Sequence, residues 1–256
     1  MICVLLLVSE LQHPDSRPFE LVADVYERAR PEYPSEAIDW LAAEIDLHAG
    51  RTVLDLGAGT GKLTRALLQT GARVIAVEPG KAMLAELRCV LPQVEAMQGA
   101  AEAIPLEDDS VDAITVGQAF HWFRHDDALP ELHRVLRPGG AVALIWNSRD
   151  HDRPVQREVS DLIKPFIPEG RPPVGHSAQA LEASELFGPV ETRSFRFSQQ
   201  LDTDALVDRI ASVSFVAAAP PERRAELAQK LRDVVAAAGG RVDFPYLTEV
   251  YVSRAV

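Results

Sequence analysis

Cysteine is scarce in this chain of 256 residues, which has only Cys3 and Cys89. Neither belongs to a C-x-x-C pair, so a disulfide framework and a cysteine zinc site have no support. Such scarcity is typical of a protein kept in a reducing compartment, and we expect a cytoplasmic location.

Long apolar segments are also lacking. The longest uninterrupted apolar run, residues 2–8, has seven residues, whereas a membrane-spanning helix needs roughly 20. No basic region precedes the run, and Ser9-Glu10 follows it in place of a cleavage site, so it matches a signal peptide poorly. We expect no membrane span, and we interpret residues 1–18 as an irregular N-terminal segment.

An excess of positive charge is absent as well. The chain has 26 Lys and Arg against 38 Asp and Glu, for a net charge of −12. This balance argues against binding to nucleic acid or to anionic lipid. With 47% hydrophobic and 25% charged residues the chain is globular. We expect a small-molecule substrate; a monomer and a homodimer are both open.

Short apolar runs alternate with helical patterns in the first half of the chain. Strands are predicted at 52–56, 73–78, 94–97, 111–116 and 141–146, and helices at 62–69, 81–90 and 128–136. We expect the Arg137-Pro-Gly-Gly140 segment to be the turn that closes the last helix. Nearly continuous apolar strands separated by helices predict a parallel sheet with helices on both faces.

The flanking regions differ from this core. Helices are predicted at 19–30 and 35–50, the second with Ser35 as N-cap. Residues 150–175 contain five prolines and are expected to be broken and rich in loops. Beyond them, strands at 190–197 and 244–252 enclose helices at 204–213 and 222–238, which predicts an antiparallel edge and a helical cap. We therefore predict one domain over 19–256, divided into lid helices (19–50), a ligand-binding core (51–148) and C-terminal strands with the cap (149–256).

A glycine-rich turn, Gly57-Ala-Gly-Thr-Gly61, joins the first core strand to the next helix. The dinucleotide pattern G-x-G-x-x-G/A fails at Lys62, and the phosphate loop G-x-x-x-x-G-K-[ST] fails at Leu56 and Leu63. What remains is D-x-G-x-G-x-G beginning at Asp55, and a carboxylate beside the turn suits a cationic ligand. S-adenosylmethionine (SAM) is such a ligand, and Glu78 stands where a carboxylate can bind both ribose hydroxyls.

These motifs together resemble the class I SAM-dependent methyltransferases, and most of all the branch of trans-aconitate and quinone-biosynthesis methyltransferases. The resemblance extends from about residue 19 to the C-terminus. It implies a Rossmann-like, mostly parallel seven-stranded sheet with an antiparallel C-terminal edge strand. The segments that carry it are the glycine turn, Glu78-Pro79 with Met83, residues 99–106 with 109–112, Phe120-His-Trp-Phe123, residues 136–140, and the Tyr26-x-x-x-Arg30-Pro-x-Tyr33-Pro34 motif.

The resemblance implies a role for each matching position. The cofactor SAM, with S-adenosylhomocysteine (SAH) as product, would contact Asp55, Gly57, Ala58, Gly59, Thr60, Gly61, Glu78, Pro79, Met83, Ala101, Glu102, Gln118 and Ala119. Asp55 would lie near the ammonium, Glu78 would hold the ribose, and Gln118 and Ala119 would lie beneath the sulfonium.

The resemblance specifies the binding site of the methyl acceptor less closely than that of the cofactor. His121, Trp122 and Tyr26 are the candidate catalytic residues, and a substrate pocket would use Tyr26, Arg30, Tyr33, Trp122 and Trp146. His121 as a general base and His121 as a structural group are both open. His121 and His125 are four residues apart, but no third ligand is evident, and we expect no metal site.

Two alternatives compete with a methyltransferase that acts on a carboxylate, a hydroxyl or an activated carbon. A non-catalytic SAM- or SAH-binding protein needs the same turn. A nicotinamide oxidoreductase is disfavoured by Lys62. A hydrolase elbow is unsupported, because no G-x-S-x-G occurs.

Overall fold

The computed structural model describes residues 29–169 and 178–256. The predicted segment 1–18, residues 19–28 of the predicted first helix, and with them Tyr26, lie outside the described residues. The strands β1 to β7 are Thr52–Leu56, Arg73–Glu78, Glu95–Gln98, Val111–Gly117, Leu136–Arg149, Glu191–Leu201 and Val242–Arg254. The helices α1 to α9 are Ser35–Glu44, Lys62–Leu68, Lys81–Val90, His125–Val135, Pro154–Ile163, Gln179–Glu182, Thr203–Ala211, Ser214–Ala217 and Pro221–Ala237, with 3-10 turns at Phe120–Trp122 and Lys164–Phe166.

The seven strands form a single sheet in the order β3-β2-β1-β4-β5-β7-β6. β1 to β5 are parallel to one another, whereas β7 is antiparallel to both β5 and β6. The predicted Rossmann-like, mostly parallel seven-stranded sheet is confirmed. The antiparallel strand lies between β5 and β6, because the chain reaches the outer position first and returns through β7.

Helices cover both faces of the sheet. Successive strand residues point to opposite faces, so each apolar strand presents side chains to both. Leu54 and Ile114 pack with Leu132 of α4 on one face, while Val53 packs with Leu41 of α1 on the other. Each such side chain removed from water contributes about 1.5–3 kcal/mol. This burial on both sides explains why the core strands are apolar almost throughout.

A third core lies where the antiparallel pair β6 and β7 extends past the parallel strands. Helices α5, α7 and α9 pack there through Val159, Leu206 and Leu231 against Phe244 and Tyr246 of β7. This is the helical cap expected from the sequence.

The structure differs from three local predictions. Helix α5, which was not predicted, begins at Pro154 inside the segment expected to be rich in loops, because proline is tolerated at a first helical position, whose N–H needs no partner within the helix. Ser35 is the first residue of α1 and not its N-cap, which is Pro34. The Arg137-Pro-Gly-Gly140 segment belongs to β5, and a register shift between Val111 and Ala113 accommodates it.

The order of the strands creates a crevice at one edge of the sheet. From β1 the chain moves outward to β2 and β3, and then returns to β4 on the other side of β1. The connections that leave β1 and β4 therefore diverge, and ligands of open α/β sheets bind at such a switch point. In the described part of the chain, no helix is long and apolar enough to cross a membrane.

Candidate functional site

The glycine turn between β1 and α2 adopts a conformation that side chains resist. Gly57, Gly59 and Gly61 have φ values of +68°, +58° and +92°, in the left-handed region that glycine enters without steric cost. A Cβ on Gly57 would also lie 2.7 Å from the Cβ of Ala119. Backbone conformation and the contact with the β4 loop both require glycine here.

A cavity opens beside this turn. The turn forms one wall and the end of β4, Gly117 and Gln118, forms another. Arg30, Tyr33 and Asn147 contribute to the remaining lining. The cavity thus occupies the switch point between β1 and β4.

Asp55 reaches this cavity from the end of β1, although its side chain is fully buried. The Thr64 hydroxyl donates a hydrogen bond to its Oδ2 at 2.5 Å. Its Oδ1 has no hydrogen-bond partner among the described residues. Burial raises the pKa of Asp55 to about 7, against the opposing effect of the Thr64 hydrogen bonds. A buried acceptor of this kind suits a cationic ligand group.

Glu78, at the end of β2, is fixed by two backbone donors. Its Oε2 accepts from the N–H of Gly59 at 2.9 Å, and its Oε1 accepts from the N–H of Gly80 at 2.7 Å. These two hydrogen bonds fix the orientation of the carboxylate beside the glycine turn.

The loops after β2 and β3 lie next to Glu78. Gln98 donates through Nε2 to the carbonyl of Pro79 at 3.0 Å, which ties the end of β3 to the start of α3. Met83 and Ala101 are both buried. Glu102 accepts from the backbone N–H of Arg124 at 2.8 Å, which connects its loop to the start of α4.

The β4 loop carries the candidate catalytic residues. Gln118 has a φ of +60°, and its backbone N–H donates to the carbonyl of Ile145. The following 3-10 turn presents His121 and Trp122, both half-buried, with ring centroids 4.5 Å apart. His125 lies instead against the carbonyl of Phe120 at 3.1 Å. In the described ranges, no group of three or more His, Cys, Asp or Glu residues is arranged to hold a metal.

The predicted substrate residues are not all in one place. Tyr33 and Arg30 line the cavity. Trp146 is fully buried in the core, where it packs edge-on against Tyr251 at 5.5 Å, and it does not belong to the cavity lining. Its position follows from strand alternation, since Asn147, the next residue, is the one that faces the cavity.

Sequence reasoning missed Arg209 and Asn147. Arg209 lines the cavity from α7, far along the chain, and only the tertiary packing of the cap places it there. Asn147 accepts from the Thr248 hydroxyl at 2.7 Å and donates to the Glu32 carbonyl at 3.2 Å. Its place after an apolar strand is a polar signal that was available in the sequence.

Comparison with known proteins adds the following. Residues 54–144 match the family described as "Methyltransferase domain". An uncharacterized methyltransferase of Mycobacterium tuberculosis (strain H37Rv) is 41% identical over 238 residues, which cover 91% of this chain and 93% of that protein. A trans-aconitate 2-methyltransferase of Azoarcus is 38% identical over 49% of this chain and 50% of its own length. The structure of a candidate type II methyltransferase from Anaeromyxobacter dehalogenans superimposes with a TM-score of 0.67 at 25% identity, covering 88% of this chain and 97% of that one.

Proposed function

The chain belongs to the class I SAM-dependent methyltransferases, and we propose that it uses SAM to methylate a small molecule in the cavity between β1 and β4. The observation that carries this proposal is that two carboxylates, the buried Asp55 and the backbone-held Glu78, flank the glycine turn. We further propose that residues 19–256 form one methyltransferase domain, with 19–50 as its lid.

The residues present fit SAM. The free Oδ1 of Asp55 is a buried acceptor suited to the ammonium of the methionine moiety. The carboxylate of Glu78, at the end of β2, stands where it can accept hydrogen bonds from the ribose hydroxyls. The turn at Gly57 allows the close approach of a ligand to the backbone, and Pro79, Met83, Ala101 and Glu102 would border the adenine.

The chain's own residues contribute mainly by positioning. Bound SAM supplies an electrophilic methyl group on a sulfonium, and the neutral thioether it leaves needs no protonation. Gln118 and Ala119 form the floor on which the reacting groups align, and near-attack alignment lowers the barrier substantially. A cap of α7 and α9 limits the entry of water. Where the acceptor must lose a proton, His121 or Tyr26 is the candidate base.

The first experiment is a calorimetric titration of the whole chain with SAH, using NADH as the control ligand. We expect saturable SAH binding and no NADH binding. Glu78→Gln should weaken SAH binding at least about ten-fold, because two charge-assisted hydrogen bonds to the ribose become weaker neutral ones. The matched control is Glu95→Gln, which removes an exposed carboxylate paired with Arg73 on the neighbouring strand.

Two results would contradict the proposal. The first is NADH binding without SAH binding, which would favour an oxidoreductase. The second is equal SAH affinity in Glu78→Gln, Glu95→Gln and the unaltered chain, which would remove Glu78 from the site.

A further inference from the structure

Two neighbouring arginines, one of which lines the cavity, have no acidic partner in the described part of the chain. Arg209 of α7 lines the cavity, and Arg149 ends β5, directly opposite Tyr246 in the antiparallel ladder. Within residues 29–169 and 178–256, neither takes part in an ion pair. Guanidinium groups in so enclosed a place are normally paired, because burying an isolated charge is costly.

Arg209 is held in one orientation. It is 4% exposed, and its Nε donates to the Tyr246 hydroxyl at 2.9 Å. The guanidinium carbon lies 5.7 Å from the centre of the Tyr246 ring. Its Nη1 is buried and has no partner among the described residues. The side chain is thus fixed at one edge, while N–H donors at the other edge are available.

Arg149 adds a second positive charge near Arg209. Its Nη1 is also buried and without a partner in the described part of the chain. Burial, together with the nearby charge of Arg209, lowers the pKa of Arg149 to about 10. Arg149 and Arg209 therefore place two like charges close together.

Building on the proposed function, we infer that Arg149 and Arg209 form an anion subsite that binds a carboxylate group within the cavity. A carboxylate accepts from guanidinium groups in a bidentate geometry and would neutralise the repulsion between the two arginines. Arg30 stands at the same end of the cavity, since its Nη2 donates to the carbonyl of Ser212, directly after α7. The carboxylate belongs either to the methyl acceptor or to the amino acid part of the cofactor.

The test begins with small carboxylates as probes. Succinate and citrate, with succinamide as the neutral control, are titrated into the whole chain and into Arg209→Met, Arg149→Met and Arg196→Met. Arg196 is the matched control, because it is an exposed arginine on the adjacent strand β6 that is already paired with Asp150. We expect the carboxylates, and not succinamide, to bind. Arg209→Met or Arg149→Met should weaken this binding about 10- to 100-fold, and Arg196→Met should not.

A second measurement separates the two sources of the carboxylate. SAH and decarboxylated SAM are titrated into the same variants. If the subsite serves the cofactor, Arg209→Met weakens SAH binding at least ten-fold and leaves decarboxylated SAM unchanged. If it serves the acceptor, both ligands bind the variant as they bind the unaltered chain, while binding of the probe carboxylates is lost.

Melting temperatures distinguish a ligand-binding role of Arg149 from a purely structural one. Arg149→Met removes one of two repelling charges, so the ligand-free variant should melt no lower than the unaltered chain, while the rise produced by citrate should disappear. The inference is overturned if carboxylates and SAH bind all variants equally, or if Arg149→Met destabilises the free protein and leaves the citrate effect intact. Carboxylate binding through Arg209 in a chain that does not bind SAH would overturn the proposed function alone. SAH binding in a chain whose binding of SAH and of the probe carboxylates depends on neither arginine would overturn the subsite alone.

Discussion

The buried carboxyl of Asp55 predicts a specific pH dependence of cofactor binding. Its pKa of about 7 lies well above its ordinary value of 3.8, mainly because of burial. A carboxyl whose pKa is raised in the folded state favours folding while it is protonated. Its contribution is therefore complete below about pH 4 and is lost as the pH rises through 7. The full shift corresponds to roughly 4 kcal/mol.

Binding of an ammonium beside Asp55 requires the ionised form. With a pKa near 7, about 3% of the free protein is ionised at pH 5.5 and about three quarters at pH 7.5. The affinity for SAH should therefore rise about 25-fold over this range, equivalent to about 2 kcal/mol. At pH 6, close to one proton should be released for each SAH bound.

Calorimetry in buffers of different ionisation heat measures both quantities at once. Asp55→Asn should bind SAH more weakly and without this pH dependence. Thr64→Val removes the hydroxyl that donates to Oδ2, so it should move the transition to higher pH by about one unit. An SAH affinity that is constant from pH 5.5 to 7.5 in the unaltered chain, or a slope that persists in Asp55→Asn, would refute the assignment.

Two further predictions concern stability. Gly57→Ala should lower the free energy of unfolding by about 1–3 kcal/mol and weaken SAH binding, because the new Cβ meets Ala119. Gly139→Ala, with a φ of +75° and open space around it, should cost less and leave SAH binding unchanged in the same denaturation and titration assays. Trp146→Ala should cost about 3–5 kcal/mol in urea unfolding, because the indole is fully buried in the core. Its SAH affinity measured below the transition should not change, and a selective loss of binding would return Trp146 to the site.

The core of the fold was predictable because its strands are short and apolar and end at glycine or a carboxylate. β1 and α3 were predicted with their observed limits, and β2 likewise ends at Glu78. The errors lie where local chemistry permits two outcomes. Pro154 can end a helix or begin one, and only the packing of α5 on the cap decides between them.

The candidate site likewise contains some residues that the sequence predicts and others that only the tertiary packing places there. The glycine turn follows β1 directly, while Asp55 and Glu78 lie at the ends of β1 and β2. The parallel sheet alone therefore brings them to one edge. Trp146 and Asn147 differ by a single position, and the pleat of β5 sends the first into the core and the second to the cavity. Arg209 lies on a helix whose position depends on its packing against β7, and no local pattern near residue 209 signals a ligand.

This division has a consequence for how specificity arises in the molecule. The residues that fit SAM sit on the rigid parallel sheet, where the strand order dictates their geometry. Arg149 and Arg209 sit at the junction with the cap, whose helices pack on β6 and β7 through a separate core. Changes in the cap can therefore move or replace Arg209 without disturbing Asp55 or Glu78. Where the subsite serves the acceptor, exchanging residue 209 should alter the acceptor preference while the affinity for SAH stays constant.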